Sequence, residues 1–368
     1  MDIQNERLWS LDALRGFDML FISGLSAVIV KLCALCGAPD AWLVHQMQHV
    51  PWDGFAHHDT IFPLFLFIAG ATFPFSLAKQ REKGYSTTRI WLRTLRRGLV
   101  LFLLGLVVNG LLRFEWGHLR VFSVLGRIGL AWMFASWIWM FLRTRTRVAV
   151  ALGLLLGYWA LTALCVAPDH PDASPFTREG NICCWFDRTF FTNHIYQKLY
   201  DPEGALSVLP AIVTALLGMF TGWFAQMRRD GLTGGRKVAI LAVAAVLLGV
   251  AAVVWGRWYP INKALWSSTF VCAAGAYSVA MFALFYGIID VLGWRKWTLY
   301  FRVVGLNSIT IYLAQQIIGF NQANNYLFGG LAKLFPDKVG ALVVSLGYMA
   351  VVWLFLYFLH RQKVYLKV

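Results

Sequence analysis

Three histidines and two aspartates lie within the eleven residues that run from His49 to Asp59. This segment, called the His49 loop below, leads directly into a strongly apolar stretch at 60–70. Histidine exchanges protons near neutral pH, and a neighbouring carboxylate can fix its tautomer so that the free ring nitrogen acts as a base or a nucleophile. The His49 loop therefore predicts proton-transfer chemistry where a membrane span begins.

Within this loop we expect His49 to carry the chemistry, with Asp59 as its orienting carboxylate and Asp53 as the second choice. His57 and His58 compete with His49 for the role, and spacing along the chain does not separate the three. A lone histidine at a membrane surface is usually a structural residue whose ring makes its hydrogen bonds at the interface. The prediction therefore depends on the cluster as a whole.

The elements that hold this loop follow from composition. Only 14% of the 368 residues are charged and 59% are hydrophobic, whereas a soluble domain carries about a quarter charged residues. Apolar runs close to or above the ~20 residues that cross a bilayer as a helix recur at 11–32, 59–78, 94–112, 121–142, 148–167, 205–226, 238–256, 265–290, 298–320 and 339–359. We therefore predict an all-α, polytopic membrane protein with about ten transmembrane helices, forming a single domain over 1–368.

Basic residues give the orientation of these spans. Of the 33 lysines and arginines, 21 lie in one alternating set of loops and ends, and 10 lie in the opposite set, which contains more residues. Because lysine and arginine accumulate on the cytoplasmic side, both termini are predicted to be cytoplasmic and the His49 loop extracytoplasmic. The net charge of +15 follows from this alternation. A nucleic-acid partner is not expected, because such proteins gather their basic residues on one face.

The longest predicted outer loop, 168–204, mixes proline, aspartate and aromatic residues, which is typical of an ordered lid. The six cysteines include the pair Cys33 and Cys36, and the pair Cys183 and Cys184 within this loop. An oxidising compartment could link either pair, although free thiols are the simpler interpretation. The spacing of cysteines and histidines does not match that of a zinc site, so no metal is expected.

Several polar groups near the outer face allow either a structural or a binding interpretation. Asp201 and Glu203 have the positions of residues that begin a helix, yet both would also suit a cationic or hydroxyl-rich substrate. Lys263 either anchors the chain at the interface or binds a ligand. Arg127 lies inside a predicted span, where a fixed cation requires an anion.

Seven motifs follow one another along the chain. They are RLWSLDALRG (7–16), HVPWDG (49–54), DTIFP with FIAG (59–70), Arg120 with VLGRIG (124–129), YDPEG (200–204), PINKALW (260–266) and GLNSI (305–309). In these motifs the chain resembles, over nearly its whole length, the transmembrane acyltransferases that include heparan-alpha-glucosaminide N-acetyltransferase and its bacterial relatives. The His49 loop departs from the family pattern at Asp53, where asparagine is found, and at Ala56, where threonine is usual.

This resemblance implies that acetyl-CoA donates an acetyl group to the amine of a glucosamine-type sugar. The family's catalytic histidine matches His49, which acts either through an acetyl-imidazole intermediate or as a general base. The cations available for the phosphates of acetyl-CoA are Arg127, Arg120 and Lys263. The polar groups available for the sugar are Asp201, Glu203, Asn262 and Asn307.

The expected partners are an amino-sugar or glycan substrate and the lipid bilayer of a bacterial inner membrane. The sequence leaves the oligomeric state undecided, and a homodimer is one of the possibilities. A transporter or flippase for a sugar derivative is the alternative function, since a ten-helix bundle with a polar outer half serves either purpose. No internal repeat of the kind found in many transporters is visible in the sequence. A membrane scaffold is a weaker alternative, because it has no use for the His49 loop.

Overall fold

The computed structural model describes residues 8–366, so Arg7 of the first motif and the chain ends at 1–7 and 367–368 lie outside the described part. The α-helices are α1 (Trp9–Leu20), α2 (Ser26–Leu35), α3 (Trp42–Gln46), α4 (Ile61–Glu82), α5 (Thr87–Val108), α6 (Val124–Phe141), α7 (Thr144–Leu164), α8 (Ile182–Phe190), α9 (Val208–Gln226), α10 (Gly234–Trp255), α11 (Ser268–Phe285), α12 (Leu299–Leu306), α13 (Ser308–Ile317), α14 (Phe320–Ala332) and α15 (Asp337–Arg361). Within 8–366 the backbone forms no β-strand, only an isolated bridge between Val166 and Asn181. The predicted all-α class is confirmed.

Eight helical segments are long and apolar enough to cross a membrane, and the chain is a multi-pass membrane protein. They are Trp9–Leu35, His57–Glu82, Val124–Phe141, Thr144–Leu164, Ala205–Gln226, Gly234–Trp255, Ser268–Val291 and Asp337–Arg361. Each overlaps one of the apolar runs predicted from the sequence.

The predicted runs at 94–112 and 298–320 are not among these eight segments. The first falls in α5, whose first half carries four arginines and is therefore too polar as a whole. The second is interrupted at Asn307, which separates the short helices α12 and α13. The count of ten spans therefore stays a prediction, as does the orientation of the termini.

The centre of the bundle is formed by α4 and α9, whose backbones approach closely. Gly218 of α9 lies against the backbone of Phe67, and Gly222 lies against that of Ala71. These contacts advance together along both helices, so α4 and α9 run parallel and begin at the same end of the bundle. Glycines four residues apart permit such an approach in a membrane. We call the end where α4 and α9 begin the His49 face, because the His49 loop leads directly into α4.

The predicted orientation can be tested with single cysteines in a cysteine-free variant. Cysteines placed within 84–88 or 230–235 are expected to be protected from an impermeant thiol reagent in intact cells, and those within 170–180 are expected to react. All positions should react after lysis, which controls for local burial. Reversed labelling would place the His49 face in the cytoplasm.

Candidate active site

His49 and Asp59 form a hydrogen-bonded pair where α4 begins. Nδ1 of His49 lies 2.8 Å from Oδ1 of Asp59. The Asp59 side chain is only 1% exposed, whereas about half of the His49 side chain (49%) is exposed. The central helix therefore fixes the carboxylate, and the carboxylate in turn holds a ring that a substrate can reach.

The surroundings of Asp59 favour its ionised form. Its Oδ2 accepts hydrogen bonds from the backbone N–H groups of Val50 and Ala56, each at 3.3 Å. Nζ of Lys263 lies 3.4 Å from its Oδ1. Because an ionised carboxylate only accepts hydrogen bonds, Nδ1 of His49 must be the donor. The lone pair on Nε2 of His49 is then available for chemistry.

Lys263 places a cation beside the His49 ring. Its Nζ lies 2.9 Å from Nδ1 and 3.3 Å from Nε2 of the ring. Burial lowers the pKa of Lys263, while the carboxylates of Asp59 and Glu203 act in the opposite direction. Lys263 is therefore a partly desolvated donor, which is the kind of group that stabilises negative charge developing on a reacting carbonyl.

A strained turn at 260–267 holds Lys263 in this place. The turn is closed by a 3.0 Å hydrogen bond from the backbone N–H of Trp266 to the carbonyl of Lys263. Trp266 has a φ of 52°, a left-handed conformation that costs a bulky residue about 1–3 kcal/mol. Its indole is buried and donates to Oγ1 of Thr214 at 3.1 Å. Packing of the indole thus maintains the turn that presents Lys263.

Asp53, the second predicted orienting group, makes its hydrogen bond elsewhere. Its Oδ1 accepts a hydrogen bond from the backbone N–H of Ile261 at 2.9 Å. The backbone N–H of Gly54 donates to the Ile261 carbonyl, also at 2.9 Å, and the φ of 132° at Gly54 favours glycine. The two bonds join the His49 loop to the 260–267 turn. Asp53 therefore positions Lys263 relative to the ring.

The other two histidines of the loop have different surroundings. The His58 ring packs against that of His49, with centroids 4.4 Å apart, and its Nδ1 lies 3.3 Å from Oγ of Ser26. Nε2 of His57 lies 2.9 Å from the hydroxyl of Tyr277. Of the three histidines, only His49 has an ion-pair contact with a carboxylate in the described part of the chain. The geometry therefore distinguishes His49 where the spacing did not.

Arg120, a predicted acetyl-CoA ligand, is paired with both predicted sugar ligands of the 200–204 motif. Its Nε lies 2.8 Å from Oδ2 of Asp201, its Nη2 lies 2.6 Å from Oδ1, and Nη2 also contacts Glu203. Burial lowers the pKa of Arg120, but the bonds with the two carboxylates outweigh burial and raise it above its ordinary value. Asp201 also accepts from the backbone of Tyr196 and of Glu203. Asp201 is thus fully engaged inside the protein, and Glu203 keeps a partly exposed side chain.

Arg127 has no such pair. Its Nη2 donates to the carbonyl of Pro202 at 2.5 Å, and its guanidinium lies over the Trp266 ring at 4.7 Å. The residue is 4% exposed, and its Nε has no hydrogen-bond partner within 8–366. A buried donor without a partner costs about 1–3 kcal/mol, so this N–H is available to a ligand.

The two predicted amide ligands, Asn262 and Asn307, are fully buried and make local bonds. Oδ1 of Asn262 accepts from the backbone of Leu265 at 2.9 Å, which shapes the Lys263 turn. Nδ2 of Asn307 donates to the carbonyl of Val303 at 3.2 Å, where α12 ends. Within 8–366, Nδ2 of Asn262 and Oδ1 of Asn307 have no hydrogen-bond partner, and neither side chain is in contact with the His49 ring.

The 168–204 loop folds onto the His49 loop. Nε1 of Trp52 donates to the carbonyl of Phe176 at 2.7 Å, and the Arg178 guanidinium lies 5.2 Å from the Trp52 ring centroid. Asp187, which the sequence analysis did not single out, accepts from the backbone of Ala205 at 3.0 Å, and burial raises its pKa to about 7. The loop is thus an ordered part of the His49 face.

All six cysteines are free thiols. Burial raises the pKa of Cys183 to about 12, which makes this thiol unreactive. The described chain, 8–366, brings no three His, Cys, Asp or Glu side chains together in a way that could hold a metal ion.

A cationic cavity lies at the opposite end of the bundle and was not predicted from the sequence. It has a volume of about 530 Å³ and lies between α4, α5 and α6, with Arg93, Arg96 and Arg97 in its wall. The Arg97 guanidinium lies over the Trp132 ring at 4.4 Å, and its Nε has no partner among the described residues. Guanidinium groups bind phosphates well. The sequence shows these arginines as a cluster, but the cytoplasmic bias of basic residues explains such a cluster equally well.

A small apolar cavity lies between the cationic cavity and His49. Phe62, Phe65 and Ile128 are among its lining residues. Ile128 is one turn along α6 from Trp132, which lines the cationic cavity. The ring of Phe62 lies 5.7 Å from Nζ of Lys263. The small cavity, of about 20 Å³, and the cationic cavity therefore lie at successive levels of α4 and α6, with packed core side chains such as Leu66 and Ala69 between them.

Comparison with known proteins agrees with the motifs. Human heparan-alpha-glucosaminide N-acetyltransferase is 25% identical over 415 aligned positions, which cover 98% of this chain and 60% of the human protein. The chain is similar to this acetyltransferase. The mouse enzyme of the same name is 23% identical over 369 positions, covering 85% of this chain and 54% of the mouse protein.

The resemblance drawn from the seven motifs is thus confirmed. The chain spans less than two thirds of the length of either relative. No model of a known protein family matches it.

Proposed function

We propose that this protein is a membrane-embedded acetyltransferase that moves an acetyl group from acetyl-CoA to the amine of a glucosamine-type sugar at the His49 face. The observation that carries the proposal is the His49–Asp59 pair, which leaves Nε2 of the ring unprotonated, 3.3 Å from Nζ of Lys263. The names of the two relatives support the reaction class. No observation favours the transporter alternative.

Nε2 of His49 is the reacting atom in either of two routes. As a general base, it takes one proton from the sugar ammonium and releases it to solvent. The amine then attacks the thioester carbonyl, the carbon–sulfur bond breaks, and the second proton lost by the nitrogen goes to the leaving thiolate. As a nucleophile, Nε2 attacks the thioester itself, the thiol leaves, and the amine then displaces the ring from the acetyl group. Both routes release one proton to solvent for each acetyl group transferred.

The neighbours of His49 act in both routes. Asp59 holds the Nδ1 proton and stabilises the positive charge that forms on the ring. Lys263 is placed to donate a hydrogen bond to the carbonyl oxygen as it becomes negative. Asp53 keeps the turn that carries Lys263 against the His49 loop.

For the donor, we place the phosphates of acetyl-CoA in the cationic cavity and its thioester at Lys263 and His49. The pantetheine arm then passes between α4 and α6, where the small apolar cavity of about 20 Å³ has to widen to admit it. Charge complementarity supports this placement, because the cavity wall carries Arg93, Arg96 and Arg97. Arg120 is a weaker phosphate ligand than the sequence suggested, because two carboxylates already neutralise it. In the predicted orientation the acetyl group crosses the membrane during the reaction.

Removing two charges from the cationic cavity tests this placement. The double variant Arg93→Gln with Arg96→Gln is expected to raise the KM for acetyl-CoA about tenfold or more, since a hydrogen bond to a charged group contributes about 1.5–3 kcal/mol when unscreened. The KM for the sugar should not change. Steady-state kinetics with each substrate varied in turn measure both values.

The matched control is Arg89→Gln, one turn earlier on α5; its guanidinium packs over the Tyr85 ring, as that of Arg93 does, but Arg89 does not line the cavity. It should leave both KM values unchanged. If Arg120→Gln raises the KM for acetyl-CoA and the double variant does not, the phosphates bind at the His49 face.

The function itself is tested by acetyl transfer from labelled acetyl-CoA to glucosamine with purified protein in detergent. Formation of labelled N-acetylated sugar that depends on the protein is the expected result. Sealed vesicles that move unmodified sugar, with no acetylated product, would instead establish the transporter alternative.

A further inference from the structure

A third cavity, which the proposed reaction does not use, opens on the side of the bundle. It has a volume of about 420 Å³ and lies between α5, α6 and the start of α9, below the 168–204 loop. Its wall is almost entirely apolar and includes Phe102, Leu130, Phe134 and Leu209. We call it the lateral groove.

The lateral groove faces the lipid. Phe134 and Leu209 belong to predicted membrane spans and are both exposed. Along α6 the groove reaches from Ser123 to Phe134, a length of ~16 Å at 1.5 Å per residue. An elongated apolar channel that opens toward lipid has the shape and chemistry of a binding place for a single hydrocarbon chain.

The end of the groove nearest His49 is charged. Arg127 and Glu203 both line it, and the Nε of Arg127 is the buried donor without a partner described above. The Arg127 guanidinium lies over the Trp266 ring at 4.7 Å, and Trp266 closes the turn that presents Lys263 through a 3.0 Å hydrogen bond to the Lys263 carbonyl. Nζ of Lys263 in turn lies 2.9 Å from the His49 ring. The charged end of the groove therefore adjoins the turn that places Lys263 beside the His49 ring.

We propose that the acetyl acceptor is a membrane-resident amphiphile, with one hydrocarbon chain in the lateral groove and an amine-bearing head at His49. This inference rests on the proposed acetyl transfer. Glu203 pairs with the ammonium before its proton is lost, and Arg127 Nε–H donates to an oxygen that joins the head to the chain. Because lipid is as apolar as the groove, the groove adds little hydrophobic driving force. The groove instead holds an acceptor that is already concentrated in the membrane, and it fixes the depth of the amine so that the amine reaches His49.

Two acceptors that differ only in chain length test the proposal: methyl and dodecyl glycosides of glucosamine, each with a free amine. With the protein in lipid nanodiscs, kcat/KM for the dodecyl compound is expected to exceed that for the methyl compound at least tenfold. Leu209→Trp, which fills the groove from its exposed edge, should lower this ratio about tenfold.

The matched control is Leu152→Trp, which adds the same side chain to an exposed position of α7 outside the groove. It should keep the wild-type ratio, because the dodecyl compound partitions into identical nanodiscs in both experiments. Equal ratios for Leu209→Trp and Leu152→Trp would show that the chain does not enter the groove and would overturn the proposal. Equal kcat/KM values for the two compounds with wild-type protein would do the same and indicate a water-soluble acceptor.

Failure of the underlying function is distinguishable from failure of this inference. If neither amine is acetylated, the proposed acetyl transfer is wrong, and the groove is judged by binding of the dodecyl compound alone. Saturable binding that Leu209→Trp weakens at least tenfold supports the groove as an amphiphile site. Equal binding by Leu209→Trp and Leu152→Trp overturns it.

Discussion

Replacing His49 by alanine is expected to lower kcat by ~100- to 10,000-fold, because the variant loses the group that accepts or carries the transferred atoms. The protein should remain folded, since about half of the His49 side chain is exposed and removing it leaves Asp59 bonded to two backbone N–H groups and to Lys263. The measurement is initial rate with labelled acetyl-CoA, alongside gel filtration and acetyl-CoA binding by calorimetry. Binding should be retained, because the phosphates lie at the other end of the bundle in our proposal.

His57→Ala and His58→Ala are the matched controls within the same loop. Both should be milder, because His57 is directed toward Tyr277 and His58 packs against the ring without a carboxylate partner. Near-normal turnover by His49→Ala, or a larger loss in His58→Ala, would move the reaction to another residue. Trapping labelled protein in acid without an acceptor, in wild type but not in His49→Ala, would establish the acetyl-imidazole route.

The features that local sequence determines were predictable. Hydrophobic runs identified eight spans that the structure also shows, because the ability of a segment to cross a membrane depends on the residues of that segment alone. The proximity of His49 and Asp59 was predictable because only ten positions separate them and both adjoin the start of α4. The break at Asn307 was not, because a buried amide that ends a helix inside an apolar run leaves little trace in mean hydropathy.

Pairings between distant segments decided what the sequence left open. Arg120 and Asp201 are 81 positions apart, and only the fold shows that the predicted donor ligand and acceptor ligand neutralise each other. Asp53 was placed beside His49 by spacing, but its partner is Ile261, more than two hundred positions away. Lys263 was equally an anchor or a ligand until the 260–267 turn placed it against the ring.

The cationic cavity shows a different limit of sequence reasoning. The positive-inside rule predicts arginines at this end of the bundle, and it accounts for Arg93, Arg96 and Arg97. Because that explanation is sufficient, the sequence does not indicate that these arginines also bind a ligand. Helical spacing puts Arg93 and Arg97 on one face of α5, since residues four apart are neighbours. What the spacing could not show is that α4 and α6 close around that face and leave a cavity.

Replacing Asp59 by asparagine is expected to reduce kcat about 100-fold or more, through the tautomer of His49. The amide oxygen of asparagine can still accept from the backbone of Val50 and Ala56, so the loop should keep its shape. The amide N–H2 then faces Nδ1, which must become the acceptor, and the ring proton moves to Nε2. The nitrogen that has to attack or to take a proton is thereby blocked, although every residue of the loop stays in place.

Asp53→Asn is the control that separates this effect from a general loss of charge in the loop. Asparagine keeps the oxygen that accepts from the backbone of Ile261, so turnover should remain within about threefold of wild type. The KM for acetyl-CoA should be unchanged in both variants, since neither residue contacts the cationic cavity. Equal losses in Asp59→Asn and Asp53→Asn would mean that the loop needs its negative charge and not a fixed tautomer. Full activity in Asp59→Asn would show that the buried carboxylate only folds the loop, because a reaction at Nε2 cannot proceed while that nitrogen carries the ring proton.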